Sequence, residues 1–384
     1  MKLMHLGDLH LGRSIGEFDL IDDQKYILDQ ILEIVDREKV DAVLIAGDVY
    51  DKSVPSEAAV SLLDSFLNAL SSRNVSVFMI SGNHDSDDRL NYGRWTFERQ
   101  GVFISAIYNG ELDRHDLKVG DSEVCIYMLP FVKASQVRRI YPDEEIETYE
   151  DAVRTILDKA PIDENKCNII VAHQFVAGRG NDPVFGGSEG LGTLNVGTVE
   201  KIGYDCFDKF DYVALGHIHS PQKVGRETCR YSGTPLKYSL KEVNDDKSVP
   251  LITLNGKDVS IDYVKLKPKR EMRHLRGTMK ELLDKANVRS PEDFIYATLT
   301  DEDVINDAMG KFQAVYPNTV KVDYDNSRTR AVEKVDISQI LQQRSFTDLI
   351  SDFYKQVYGI DISEEEMAVI RDAAREAGVI DEAD

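Results

Sequence analysis

Six short apolar runs punctuate the first two thirds of the chain: Leu3–Leu6, Ala42–Ala46, Val75–Ile80, Val124–Leu129, Ile169–Ala172 and Tyr212–Leu215. They are rich in Val, Ile and Leu and bounded by Gly, Asp and Asn, the pattern of strands covered on both faces. Between the first two, Tyr26, Ile27, Ile31, Ile34 and Val35 recur near helical spacing. A further helix is expected after Ser53, with Pro55 in its first turn and Val60, Leu63, Leu67 and Leu70 along one side. Strand–helix–strand order of this kind predicts an α/β sandwich over residues 1–265, with functional residues at strand ends.

The pattern then changes. A strand near Met272, a helix near Met279–Leu283, a strand at Phe294–Leu299, a helix near Ala308–Val315 and a strand at Thr319–Tyr324 read as a separate small α+β domain over 266–328. Asn326-Ser327-Arg328-Thr329-Arg330 reads as a linker. From 335 to 384 the chain is expected to be helical. Phe346, Leu349, Ile350, Phe353 and Val357 fall at i, i+3, i+4, i+7 and i+11, one apolar face. Gly359 suits a helix stop, and Ser363 with Glu366 suits a capping box that opens a last helix.

Length and composition narrow the classes. A chain of 384 residues, 42% hydrophobic and 30% charged, suits a multidomain soluble protein. It contains no apolar run of the ~18 residues that a membrane span needs, and its first residues meet a charge too early for a signal peptide. The four cysteines form no CxxC pair and read as isolated thiols in a reducing compartment. A net charge of −22 argues against tight, unaided binding to nucleic acid. Carboxylates that hold divalent metals, or a partner subunit, would relieve that objection.

The chemistry concentrates in five clusters, each just after a predicted buried strand: Asp8-Leu9-His10, Gly47-Asp48, Gly82-Asn83-His84-Asp85, His173 and Gly216-His217-Ile218-His219. Five of the eight histidines fall in them. Asp, His and Asn supply the O and N donors that suit Mn²⁺, Fe²⁺ or Zn²⁺. In extended chain the i, i+2 spacing of Asp8/His10 and His217/His219 puts both side chains on one side. Turn chemistry explains any single cluster of this kind, but not five in series. His5, His115 and His274 belong to no cluster and read as structural or surface residues. Gly178-Arg179-Gly180 and Phe185-Gly186-Gly187 match no phosphate-binding loop and read as a flexible loop near the metal site. The basic stretch Lys265, Lys267, Lys269, Arg270, Arg273 and Arg276 suits either DNA phosphates or a solvated face.

The five clusters in this order resemble the calcineurin-like metallophosphoesterases. Within them, Gly47–Pro55, Phe210–His217 and Arg230–Ser239 are similar to the bacterial SbcD branch of nucleases. The resemblance implies a four-layer α-β-β-α sandwich with a small capping domain and C-terminal helices. It implies two divalent ions, expected to be Mn²⁺: one held by Asp8, His10, Asp48 and His219, the other by Asp48, Asn83, His173 and His217, with Asp48 bridging. His84 would face the scissile phosphate, and Asp85 would orient His84. Asp51 stands where some relatives carry another histidine. The activity implied is 3′-to-5′ cutting of double-stranded DNA and endonuclease cutting of single strands and hairpins, in repair, recombination and replication. The implied assembly is a cytoplasmic homodimer bound to the SbcC ATPase through the Phe346–Val357 face. This chain has no Walker motif, so any ATP dependence would be the partner's.

Two other readings use the same residues. One is a protein phosphatase or cyclic-nucleotide phosphodiesterase, but the phosphatases carry Arg and Glu where this chain has Lys52 and Asp85. The other is a non-catalytic DNA-end tether, against which the non-ligand His84 counts.

Overall fold

A computed structural model describes residues 1–178, 180–189, 201–327, 329, 350, 351, 354, 355 and 362–376. The six apolar runs form the centres of two six-stranded sheets. The first has the order Asp258–Lys265, Ser248–Asn255, Lys2–Leu6, Ala42–Ala46, Ser76–Ile80, Val102–Ser105. Its last four strands are parallel, and the first two join antiparallel. The second has the order Gln222–Val224, Arg226–Tyr231, Tyr212–Gly216, Asn168–His173, Ser122–Leu129, Asp113–Val119, with four parallel strands in the middle.

The sheets face each other across a core of Leu3, Leu44, Phe78, Ile80, Ile126, Met128, Val171, Tyr212 and Ala214. Strand residues of opposite parity point outward. Met4, Val43 and Ile45 meet helices Ile21–Glu38 and Glu57–Ser71 through Ile27, Ile31, Ile34, Leu63 and Phe66. Tyr127, Leu129 and Ile170 meet helix Tyr149–Lys159 through Val153, Ile156 and Leu157. Burial on both faces explains why these strands lack polar alternation. The result is the expected four-layer α-β-β-α sandwich.

Differences from the sequence reading have local causes. The second helix begins at Glu57, because the Ser56 hydroxyl accepts the Ala59 N–H (3.2 Å), so Pro55 lies outside the first turn. The hairpin Ser248–Lys265 turns at Gly256-Lys257, with Gly256 at φ 62°. Asn255-Gly256 was a visible signal for it. The four cysteines form no disulfide, and Cys125, Cys167 and Cys229 are buried. No helix among the described residues is long and apolar enough to cross a membrane.

The chain divides into two compact units. One comprises Met1–Arg276, Glu281–Ala297 and Asp307–Val322, and the other Gly277–Lys280, Thr298–Asn306 and Asp323–Asp384. Strands Met272–Gly277, Phe294–Leu299 and Thr319–Tyr324 form a three-stranded sheet in that order. In the first unit Phe294 packs near Phe18 (6.0 Å between rings), and Arg270 pairs with buried Asp23. Lys265 pairs with Asp246 at 2.5 Å and Arg273 with Asp293 at 3.6 Å. Lys265, Arg270 and Arg273 of the basic stretch are thus engaged by carboxylates of the same unit. In the second unit Ser363 Oγ accepts the Glu366 N–H (3.3 Å) and the Ser363 N–H donates to the Glu366 carboxylate (3.0 Å), which opens helix Glu364–Glu376 as expected. Of the apolar stripe, Phe346, Leu349, Phe353 and Val357 lie outside the described residues, as do Arg179, Arg328, Arg330 and Gly359. Ile350 is helical and half-buried.

Candidate metal centre

The five clusters sit at the C-terminal ends of parallel strands, where an α/β sheet presents its binding edge. Asp8 and His10 follow Lys2–Leu6, Asp48 follows Ala42–Ala46, and Asn83 to Asp85 follow Ser76–Ile80. His173 ends its strand, and His217 and His219 follow Tyr212–Gly216. Close backbone packing brings these ends together. A Cβ on Gly216 would overlap the Ala46 carbonyl oxygen, and one on Gly82 would overlap Asp48 Oδ1. The backbone is left-handed at Asp8 (φ 53°), His10 (φ 44°), Asp48 (φ 47°) and His217 (φ 104°). Positive φ at such non-glycine residues is costly and clusters at functional sites. It also corrects the extended-chain argument for the i, i+2 pairs: tight turns, not a pleated strand, aim Asp8, His10 and His217.

All seven expected ligands converge. Asp8, His10 and His219 form one group of donor atoms within 4.8 Å of one another, and Asp8, Asp48 and His173 another. A third contains His10, Asp48 and His84. Asp48 Oδ2 is 3.6 Å from His10 Nε2 and 3.5 Å from His173 Nε2. Asn83 Oδ1 is 3.0 Å from His173 Nε2 and 2.9 Å from His217 Nδ1. His10 Nε2 is 3.0 Å from His219 Nε2.

His173 Nδ1–H donates to the Ala46 carbonyl at 2.7 Å, which leaves Nε2 facing the Asn83 and Asp48 oxygens; a neutral ring would set its lone pair against those acceptors, so this nitrogen takes up either a proton or a cation. Asp8 Oδ2 and His10 Nδ1 are buried with no hydrogen-bond partner among the described residues. A cation satisfies such a set, and the mixed O and N donors fit a divalent transition metal.

In the cation-free centre, burial and mutual charge set the protonation. Burial lowers His10 and His217 to about 3 and His219 well below its usual range, so these imidazoles are neutral, the ligating form. Burial alone would lower His173, but the Asp48 carboxylate outweighs it and raises His173 to about 9. Burial would raise Asp48, yet His173 and His10 hold it well below the carboxylate range. Asp8, buried and beside Asp48, is pushed well above that range.

His84 and Asp85 depart from the expected pairing. Asp85 accepts the backbone N–H groups of Val49 (3.1 Å), Tyr50 (2.9 Å) and Gly82 (2.9 Å), tying two motif loops together. Burial raises its carboxyl to about 6. His84 Nδ1 instead donates to the Asp51 carbonyl at 3.0 Å, and its backbone N–H donates to Asp48 Oδ1 at 2.9 Å.

Residues that sequence reading missed support the ligands from behind. Gln24 donates to the His10 carbonyl (2.7 Å) and to Tyr238 Oη (3.1 Å), and Tyr238 donates to the Leu9 carbonyl (2.7 Å). Arg13 spans Asp51 (3.1 Å) and the Ser188 carbonyl (2.9 Å). Glu189 Oε1 accepts the His219 N–H (3.2 Å), which brings the glycine-containing loop Phe185–Glu189 to the centre. Tyr238 lay within a recognised string; the others carried no signal in spacing.

Residues 1–221 match the calcineurin-like phosphoesterase family, and residues 268–358 match the type 5 capsule protein repressor C-terminal domain. The chain is 34% identical over 365 residues to the SbcD component of the nuclease SbcCD from Staphylococcus epidermidis, covering 93% of each chain. It is 31% identical to the protein of the same name from Staphylococcus saprophyticus, covering 94% of each. With the motif set assembled on that sandwich, the chain belongs to the calcineurin-like phosphoesterase family, in the branch of the SbcD components of SbcCD nucleases.

Proposed function

We propose that this protein is a metal-dependent DNA nuclease, the phosphodiester-cutting subunit of an SbcCD-type complex. The observation that carries the reading is the convergence of seven O and N donors, six of them buried, from five strand ends, with Asp48 Oδ2 and Asn83 Oδ1 both facing His173 Nε2. Asp8, His10, Asp48 and His219 would hold one divalent ion and Asp48, Asn83, His173 and His217 the other. Bound there, a pair of Mn²⁺ ions would activate water and offset the charge that develops on the phosphoryl oxygens. Asp48 is suited to bridging because one of its oxygens faces a histidine of each set. With Nδ1 donating to the Asp51 carbonyl, His84 has Nε2 left for exchanging a proton with the leaving oxygen. Asp85 acts as a positioning residue, keeping the Asp48 and Asn83 loops in register.

The finer activity proposed is 3′-to-5′ degradation of duplex ends and endonuclease cutting of single strands and hairpins. Residues 266–328 would cap the site and admit DNA. The face formed by Phe346, Leu349, Ile350, Phe353 and Val357 would dock on the coiled-coil base of SbcC, as an amphipathic helix docks on an apolar surface. The working assembly would be a homodimer in the cytoplasm.

Purified protein with Mn²⁺ and an end-labelled duplex tests the activity. Release of nucleotides that stops with chelator and returns with Mn²⁺ is the expected result. Turnover of phosphopeptides or cyclic nucleotides with DNA left intact would overturn it.

A further inference from the structure

We infer that Ser188, Glu242 and Lys247 form a positioning relay that fixes which ring nitrogen of His219 faces the metal centre. The inference rests on the reading of His219 as a cation ligand. None of the three residues lies in the five motif clusters. Ser188 comes from the loop at 185–189, and Glu242 and Lys247 from the segment after Tyr238.

Ser188 Oγ is 2.6 Å from His219 Nδ1 and 2.6 Å from Glu242 Oε1. Glu242 is fully buried and ion-paired to Lys247, with Nζ 2.6 Å from Oε2. Lys247 also donates to Thr234 Oγ1 (2.8 Å) and to the His219 carbonyl (3.1 Å), so its three protons all have acceptors.

Proton counting then decides the tautomer. A carboxylate paired with an ammonium can only accept, and a serine hydroxyl has one proton to give. The Ser188 proton therefore goes to Glu242, and the Ser188 lone pair receives the Nδ1–H of His219. A neutral imidazole with its proton on Nδ1 carries its lone pair on Nε2, the nitrogen 3.0 Å from His10 Nε2. In the opposite tautomer Nδ1 would need the Ser188 proton, the buried Glu242 Oε1 would exchange its 2.6 Å donor for only the 3.4 Å bond from the Tyr238 N–H, and Nε2–H would point where a cation belongs. Hydrogen bonds behind a ligand set its tautomer and tighten metal binding in this way. The relay also explains a buried ion pair set behind a ligand. Such pairs are retained when every group in them is satisfied.

The full-length protein tests this with two readouts. In the cation-free protein labelled with ¹⁵N-histidine, the ring shifts of His219 should report Nδ1–H and an unprotonated Nε2. In Mn²⁺ titration calorimetry, Ser188→Ala should weaken one of the two sites about 10–100-fold and leave two binding events. Ser188→Thr, which keeps the hydroxyl, should restore affinity. A wild-type spectrum with the proton on Nε2, or Ser188→Ala binding both ions with wild-type affinity, overturns the relay. Should Ser188→Ala not fold, the wild-type spectrum and the Ser188→Thr titration decide. Should the wild type bind no Mn²⁺, the metal reading fails, while the spectrum still decides the tautomer.

Discussion

Asp48 Oδ2 lies 3.5 Å from His173 Nε2, joining a strand end of one sheet to a strand end of the other. Because the same oxygen also faces His10, this carboxylate belongs to both ligand sets. Asp48→Asn keeps the shape and removes the charge. Calorimetry with Mn²⁺ should then lose the paired binding events, and DNA cutting should fall to background. Two wild-type binding events in that variant would sink the bridging role.

His84 should act apart from metal uptake. His84→Gln is expected to reduce cutting about 10²–10⁴-fold, the usual contribution of a positioned acid or base. Metal content measured by atomic emission should stay at the wild-type level. Loss of metal along with activity would instead make His84 a ligand.

The raised His173 carries a pH signature. Its value of about 9 exceeds the ordinary 6.5, so the protonated ring stabilises the cation-free fold below about pH 6.5. That contribution disappears as pH rises through about 9. Thermal melts in chelator should therefore fall between these values, and Mn²⁺ affinity should rise over the same window as the competing proton leaves. Melts that are flat across it, with metal binding also independent of pH, would contradict this electrostatic picture.

Away from the site, His5 Nδ1 and the Tyr212 hydroxyl share a 3.0 Å hydrogen bond within the layer between the sheets. Burial lowers His5 to about 3, so the ring is neutral. Tyr212→Phe should cost about 1–3 kcal/mol in denaturant unfolding, because it leaves a buried imidazole nitrogen unpaired. DNA cutting should be little changed.

The C-terminal stripe can be separated from the chemistry. Leu349→Glu together with Phe353→Glu should abolish co-purification with SbcC while leaving Mn²⁺-dependent cutting of short duplexes intact. Retained co-purification would move the docking surface elsewhere.

How much of this was legible in the sequence depended on what surrounds each residue. Strands such as Ala42–Ala46 and Asn168–His173 stood out because both faces are buried, which keeps them apolar throughout. Asp113–Val119 did not, because it is an edge strand whose residues alternate between half-buried and exposed. Arg226–Tyr231 was hidden by its charges. Arg230 is buried only because it pairs with Glu227 (2.7 Å) and lies over Tyr263 (4.6 Å), two facts no local pattern carries. The ligands were readable because turns after buried strands confine them to short motifs. Their supports were not: Gln24, Ser188 and Glu242 reach the centre by long-range packing. Adjacency misled once, since Asp85 follows His84 in the chain yet spends its carboxylate on backbone N–H groups of Val49, Tyr50 and Gly82.

The donors are drawn from both sheets: Asp8, His10, Asp48 and Asn83 from the first, His173, His217 and His219 from the second. Whatever binds them spans the sandwich, so ion supply and resistance to heat become one equilibrium. Each tenfold excess of free ion over its dissociation constant would add about 1.4 kcal/mol to the folded state. A chelator would then do more than silence the enzyme; it would shorten the lifetime of the fold.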